Sequence, residues 1–372
     1  MNTKVWLGVW VGLLLWAVLP AAAPAQLLRG WRYRHAQKIL HGCVVDHTDH
    51  NDGDYRIWSP TLCQKRSLYV YLPPGYDPCQ QYPLIVWLHG FMENERAFPD
   101  RVLPPLDQAI VEGRMPPAII AAPSGAIPGR PGSMFLNTNY GRYEDYVVHD
   151  IMEFLFQHYP IRPEREAHVL MGLSSGAWAA YCIAIRHRDL FGNVVGILPP
   201  LNPLYLDCHC RYRNRDFDPC CWAQRTELRR RFELVGIYYG LPITFYRQFA
   251  PYWGWGDKGL ARVSDETALY LLDRHDVQPG ELNMLAAYIR QDNLNVDAQV
   301  ESFLYYARCC KGLCVDVIYR LKGGGHNIRT GLQFLPKIAD WIGLQLAPFH
   351  PHHCGTEEER TGAMIQSDDS SP

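Results

Sequence analysis

The stretch from His168 to Tyr181, read HVLMGLSSGAWAAY, constrains this chain more than any other. His168 to Met171 is a short apolar run of strand type. Gly172-Leu173-Ser174-Ser175-Gly176 follows, and Ala177 opens a run of small residues suited to a helix. Strand, G-x-S-x-G and helix together describe a sharp turn that lifts the Ser174 hydroxyl clear of a sheet. Glycine at both flanks is required where a side chain would collide with neighbouring backbone. The turn also leaves the amide of Ser175 at a helix N-terminus, where unpaired N–H groups favour a developing negative charge. Ser174 is therefore the candidate nucleophile and the Ser175 amide a candidate oxyanion donor.

A serine nucleophile needs a base and a group to orient it, and on this kind of turn they follow in the order Ser, acid, His. Val315 to Tyr319 alternates as a strand and runs into Lys322-Gly323-Gly324-Gly325-His326-Asn327. A histidine carried on three glycines suits a loop that must reach across a sheet edge, so His326 is the candidate base. Met284 to Ile289 is another apolar strand, closed by Arg290-Gln291-Asp292-Asn293 and followed by a helical pattern from Val296 to Cys309. Asp292 is the candidate acid. Asp297 and Asp276 are its competitors, each also explained as a helix cap or a solvated charge.

The 372 residues are 48% hydrophobic and 20% charged, ample for one large core. Without residues 1–25, whose only charged side chain is Lys4, the formal net charge moves from −2 to about −3. No basic stripe tracks a phosphate backbone, which argues against a nucleic-acid partner. A basic start, an apolar stretch from Val5 to Leu19 and the ending Ala23-x-Ala25 match a secretory signal peptide over residues 1–25. That implies a secreted or periplasmic protein with no stable membrane insertion after cleavage. Twelve cysteines in an exported chain are expected to pair as disulfides. Cys208-His209-Cys210 with Cys220-Cys221 fits no standard zinc spacing, so neither a metal nor a cofactor is expected.

Val44 to Asp54 holds the polar turn 47–54 between strand-like flanks and predicts a hairpin over about 43–63 at a sheet edge. Ser67 to Leu72 is the next strand. Pro83 to Leu88 is continuously apolar, as a strand buried on both faces should be, and ends in His89-Gly90-Phe91. The Phe91 amide is the second candidate oxyanion donor, while His89 itself reads as structural. Ala118 to Ala122 forms another strand, and the Gly- and Pro-broken loop to Arg142 should border the site. Glu144 to Tyr159 reads as an amphipathic helix with Tyr146, Val147, Ile151, Phe154, Leu155 and His158 on its buried face.

Tyr71-Leu72-Pro73-Pro74-Gly75-Tyr76, Leu88-His89-Gly90, Tyr143-Glu144-Asp145-Tyr146, Gly172-Leu173-Ser174-Ser175-Gly176 and Gly324-Gly325-His326 occur in that order. Together they resemble the putative-esterase family, which includes esterase D, enterochelin esterases, feruloyl and acetyl xylan esterases and the antigen 85 mycolyltransferases. The likeness runs from about Ser67 to Leu344. It implies an α/β-hydrolase fold, a doubly wound and mostly parallel sheet with an inserted cap. It also implies a Ser174-Asp292-His326 triad with the Phe91 and Ser175 amides as oxyanion hole. Two departures stand: Ala177 replaces a further glycine after the elbow, and Arg290-Gln291-Asp292-Asn293 replaces Gly-x-x-Asp-Glu at the acid.

The expected organisation is a signal peptide (1–25), a hydrolase domain (26–346) with a cap insertion (about 199–280), and a disordered tail (347–372). The cap carries Arg229-Arg230-Arg231, read as a solvated helix face. It also carries the aromatics Phe245, Tyr246, Tyr252, Trp253 and Trp255, which read as its own small core before they read as a stacking surface. The expected activity is hydrolysis of a small-molecule or glycan-linked ester. Acyl transfer to a glycan hydroxyl and a catalytically idle binding protein are the alternatives.

Overall fold

The structure, a computed structural model, describes residues 33–50, 53–212, 217–227, 234–238, 241–320 and 324–353. The expected signal peptide, the three-arginine run and residues 354–372 lie outside them. Eight strands form the central sheet: β1 Cys43–His47, β2 Leu68–Leu72, β3 Leu84–Leu88, β4 Ile119–Pro123, β5 His168–Leu173, β6 Asn193–Ile197, β7 Asn283–Ile289 and β8 Asp316–Arg320. Their order is β1-β2-β4-β3-β5-β6-β7-β8. β1 pairs antiparallel with β2, and β2 with β4; every other neighbouring pair is parallel.

The apolar runs of β3 to β7 follow from burial on both faces. Leu84, Val86, Leu88, Leu170, Val194 and Ala286 join the core on one face. Ile85, Trp87, Val169, Met171, Val195 and Leu285 join the core on the other, which is the two-residue period of a strand. Helix α1 (Leu103–Val111) and helix α3 (Leu335–Leu346) cover the second face. The first is covered by helix α2 (Ser175–Arg186) and by the helical segment 143–158. Each large apolar side chain so buried contributes about 1.5–3 kcal/mol.

The segment 143–158 is helical as expected, with a π-helical stretch at Tyr146–Ile151. His158, expected on its buried face, is exposed and turns its ring nitrogen to the Phe154 carbonyl at 2.8 Å. Glu144 faces inward and accepts from Arg186 at 2.8 Å. That ion pair ties this helix to α2 beneath the elbow.

The region about 43–63 is not one hairpin. Val44 is buried among core residues of the sheet, so Cys43–His47 docks as the edge strand β1. Two short hairpins follow, Asp49–His50 with Gly53–Asp54 and Ile57–Ser59 with Gln64–Arg66. The tail also begins later than expected. Phe349 lies under the Arg162 guanidinium at 5.4 Å, the His350 carbonyl accepts from Arg162 at 3.2 Å, and His352–His353 pair with Gln80–Gln81. Residues 347–353 therefore belong to the fold.

Between β6 and β7 the described chain forms two hairpins, Tyr205–Asp207 with Trp222–Gln224 and Leu234–Tyr238 with Leu241–Thr244. Three helices follow: Phe245–Trp253, Gly256–Asp265 and Ala268–Arg274. Phe245, Tyr252 and Trp253 are buried, and Trp253 meets Trp178 of α2 at 5.3 Å between ring centroids. These aromatics thus serve as core for the inserted segment, whereas Trp255 is exposed. Among the described residues no disulfide is present: the eleven described cysteines are free thiols, with Cys182 buried and the other ten exposed. Cys182 packs inside α2 as a small apolar group, and its thiol donates to the Glu266 carbonyl at 3.2 Å. No helix among the described residues is long and apolar enough to cross a membrane.

Candidate active site

The turn between β5 and α2 is as tight as its glycines require. A Cβ on Gly172 would lie 2.3 Å from the Gly176 carbonyl, and one on Gly176 would lie 2.2 Å from the Leu88 carbonyl oxygen. Neither position can hold a side chain without moving backbone. Ser174 between them has φ 54° and ψ −117°, a conformation that costs a non-glycine residue about 1–3 kcal/mol and is held by its surroundings. Its N–H donates to the Ile197 carbonyl at 2.8 Å, and its carbonyl accepts from the Trp178 N–H at 2.9 Å. Both bonds fix the turn from the sheet and from the helix.

Ser174 Oγ lies 2.6 Å from His326 Nε2. His326 Nδ1 lies 2.9 Å from Asp292 Oδ2, and both of those side chains are nearly inaccessible. An ionised carboxylate can only accept, so Nδ1 carries the ring proton and Nε2 is left free to accept from the serine hydroxyl. The Asp292 carboxylate is aimed by the Leu294 N–H, which donates to Oδ1 at 2.7 Å. Of the three candidate acids, Asp292 is the one in contact with His326. Asp297 is buried too, but its Oδ2 accepts from the Gln291 N–H at 2.7 Å, bracing a turn in which Gln291 has φ 62°. Burial, and next the neighbouring Asp292 charge, push the Asp297 carboxyl up to about 7. Asp276 is exposed on a turn beyond the inserted helices.

The loop after β3 supplies the other wall. His89 is buried, and its Nε2 accepts from the Gly125 N–H at 2.9 Å, which leaves Nδ1 to donate to the Gly90 carbonyl at 3.0 Å. With both nitrogens occupied and burial disfavouring its cation, His89 is a strut between β3 and the loop after β4. Phe91 and Ser175, the two predicted amide donors, line one cavity together with Ser174 and His326. That cavity is narrow, with about 50 Å³ open to the centre of a water-sized sphere. Met134 from the loop 124–142 and Tyr212, Val235, Gln248 and Phe249 from the inserted segment complete its lining. The wall is mainly apolar and aromatic.

Three residues at the site escaped sequence reasoning. The Asn293 side-chain oxygen accepts from the His326 N–H at 2.5 Å while its amide donates to the Ile237 carbonyl at 2.9 Å. It thereby couples the histidine loop to the inserted segment. Glu93 accepts from the Gly90 N–H at 3.2 Å beside a smaller recess bounded by Ser174 and His326, and burial raises its carboxyl. Tyr212 donates to the Leu294 carbonyl at 2.9 Å and receives the Gln299 amide at 2.6 Å. No spacing rule links 212 to 294, because the contact exists only once the insertion folds back over the sheet.

Residues 59–269 match the family described as Putative esterase. The chain belongs to that family. A second likeness is to an endo-1,4-beta-xylanase/feruloyl esterase of Xylanibacter ruminicola, 22% identical over 167 residues. This match takes in 43% of the present chain and 22% of the relative, so the chain spans about a fifth of that protein's length. Among solved structures, a ferulic acid esterase superposes with a TM-score of 0.58 at 16% identity, covering 82% of this chain and 99% of the other. An S-formylglutathione hydrolase from Agrobacterium tumefaciens gives 0.55 at 15%, covering 82% and 96%. At these identities the superpositions establish the fold, a mostly parallel sheet wrapped by helices as in other members of the esterase family.

Proposed function

We propose that this chain is a secreted or periplasmic serine carboxylic-ester hydrolase that works through an acyl-enzyme. The unbroken hydrogen-bonded line from Ser174 through His326 to Asp292 carries that reading. His326 Nε2 takes the proton from Ser174 Oγ as the oxygen attacks an ester carbonyl, and Asp292 holds the imidazole in the tautomer that leaves Nε2 unprotonated. The amides of Phe91 and Ser175 receive the tetrahedral oxyanion, where one such donor is worth on the order of 3 kcal/mol of barrier. His326 then protonates the leaving alkoxide, and water, deprotonated by the same imidazole, releases the acid. Export rests on the leader-like residues 1–25. Turnover of p-nitrophenyl butyrate by the mature chain tests the reading, and added sugar acceptors distinguish hydrolysis from acyl transfer by the product formed.

The cavity suggests what kind of acyl group it takes. Away from Ser174, Ser175, Tyr212 and His326 its wall is apolar except for Gln248 and Gln299, whose side-chain oxygens are buried without a hydrogen-bond partner among the described residues. A buried acceptor left unpaired costs about 1–3 kcal/mol, which a substrate hydroxyl reaching one of these oxygens would recover. A flat aryl-propenoyl acid with a ring hydroxyl, the chemistry of ferulic acid, combines both demands. Methyl 4-hydroxycinnamate is expected to exceed methyl cinnamate in kcat/KM by roughly tenfold to a hundredfold, in line with one recovered hydrogen bond. Gln299→Leu should reduce that ratio, and because its amide also donates to the Tyr212 hydroxyl the rate on methyl cinnamate should fall as well, by a smaller factor. Equal rates on the two esters would refute this assignment.

A further inference from the structure

The hairpin at the start of the insertion pairs Tyr205 with Gln224, Leu206 with Ala223 and Asp207 with Trp222. The next position in that antiparallel register sets Cys208 against Cys221, whereas Cys210 and Cys220 are one residue out of step. The two facing thiols are exposed and in hydrogen-bond contact, which holds the Cys221 thiol above its ordinary range. Cys208 Sγ also lies 3.4 Å from Nδ1 of His209.

These two cysteines close the base of the loop that delivers Tyr212 to the candidate active site. Asp207 at the loop's start accepts the N–H groups of His209 and Arg211 at 2.9 and 2.8 Å. At its inner end the Tyr212 hydroxyl donates to the Leu294 carbonyl, and the Tyr212 carbonyl accepts from the Asn295 amide at 2.7 Å. Leu294 and Asn295 sit directly after Asp292 and Asn293, the residues that hold the ring and the backbone N–H of His326. Whatever steadies the loop steadies both a wall of the cavity and the turn that carries the acid.

We propose that Cys208 and Cys221 are a redox pair, joined by a disulfide that fixes the Tyr212 loop against the acid-bearing turn. With glutathione disulfide as oxidant, the Cys208 thiolate attacks one of its sulfurs and expels one glutathione thiolate. The Cys221 thiolate then attacks the Cys208 sulfur of the mixed disulfide and expels the second. Two protein thiols lose two electrons and two protons, and one glutathione disulfide becomes two glutathiones. The pairing is independent of what the site catalyses; its effect on substrate rests on the esterase reading.

The full chain, equilibrated with glutathione disulfide, alkylated and digested without reduction, is expected to yield a peptide linking Cys208 to Cys221. Alkylation of both, or linkage of either to another cysteine, would overturn the pairing whether or not esters are hydrolysed. With p-nitrophenyl butyrate, dithiothreitol is expected to raise KM by about tenfold, the scale of a slight misplacement of site residues. Cys208→Ser, Cys221→Ser and the double variant should all match the reduced wild type and no longer respond to dithiothreitol, while Cys210→Ser keeps the response. A Cys208→Ser variant that still responds would remove the functional half of the proposal.

Discussion

Ser174→Ala is expected to lower kcat/KM for p-nitrophenyl butyrate by at least about 10⁴-fold, because the change deletes the oxygen that the proposed mechanism acylates. The fold should not register it. Ser174 already stands at φ 54° and ψ −117°, alanine meets the same backbone demand, and the bonds that hold the turn come from the Ser174 main chain. A melting temperature within a few degrees of wild type, together with the loss of turnover, separates a missing nucleophile from a collapsed elbow. Loss of the hydroxyl leaves His326 and the amide pair in place, so a residue of slow, water-driven hydrolysis above background is expected.

The second large effect distinguishes two aspartates five residues apart. Asp292→Asn is expected to cost about 10⁴-fold in kcat, since a carboxamide can donate to His326 Nδ1 and so select the tautomer whose Nε2 cannot accept from Ser174. Asp297→Asn should stay within about tenfold of wild type, because its amide oxygen can still accept the Gln291 N–H that the carboxyl group receives. Its signature is in stability against pH. Asp297 keeps its proton to about pH 7 in the folded chain against an ordinary value of 3.8. The folded state therefore binds more protons than the unfolded state between these values, and the contribution to stability falls as pH rises from about 4 to about 7. The variant should lose that slope, read as a smaller drop in melting temperature between pH 5 and pH 8. If the two variants exchange their effects, Asp297 is the acid.

What could be read from the sequence was whatever backbone geometry restricts to a few residue types. Gly172 and Gly176 are legible because a Cβ at either would overlap main-chain atoms, and the both-faced strands Leu84–Leu88 and Asn283–Ile289 are legible as unbroken apolar runs. The acid was harder. Asp292 and Asp297 both follow β7 and both end up buried, and only the reach of His326 separates them. The edge strand Cys43–His47 was hidden by the polar turn behind it, and the docking of residues 347–353 depends on Gln80–Gln81 and Arg162, far away in sequence. Asn293 and Tyr212 were invisible for the same reason: each acts through a partner that only the folded insertion brings near. The cap aromatics illustrate the opposite outcome, since a cluster of rings reads as core before it reads as a binding surface, and Trp253 against Trp178 is core.

The most direct test of the central claim is covalent. The mature chain would be treated with an aryl alkylphosphonate ester bearing a p-nitrophenyl leaving group, then weighed intact and mapped by peptide. One phosphonyl group per chain on Ser174, abolished in His326→Ala, is the expected result. A correctly folded protein that takes no label, or carries it on another residue, would contradict the serine-hydrolase reading of this site.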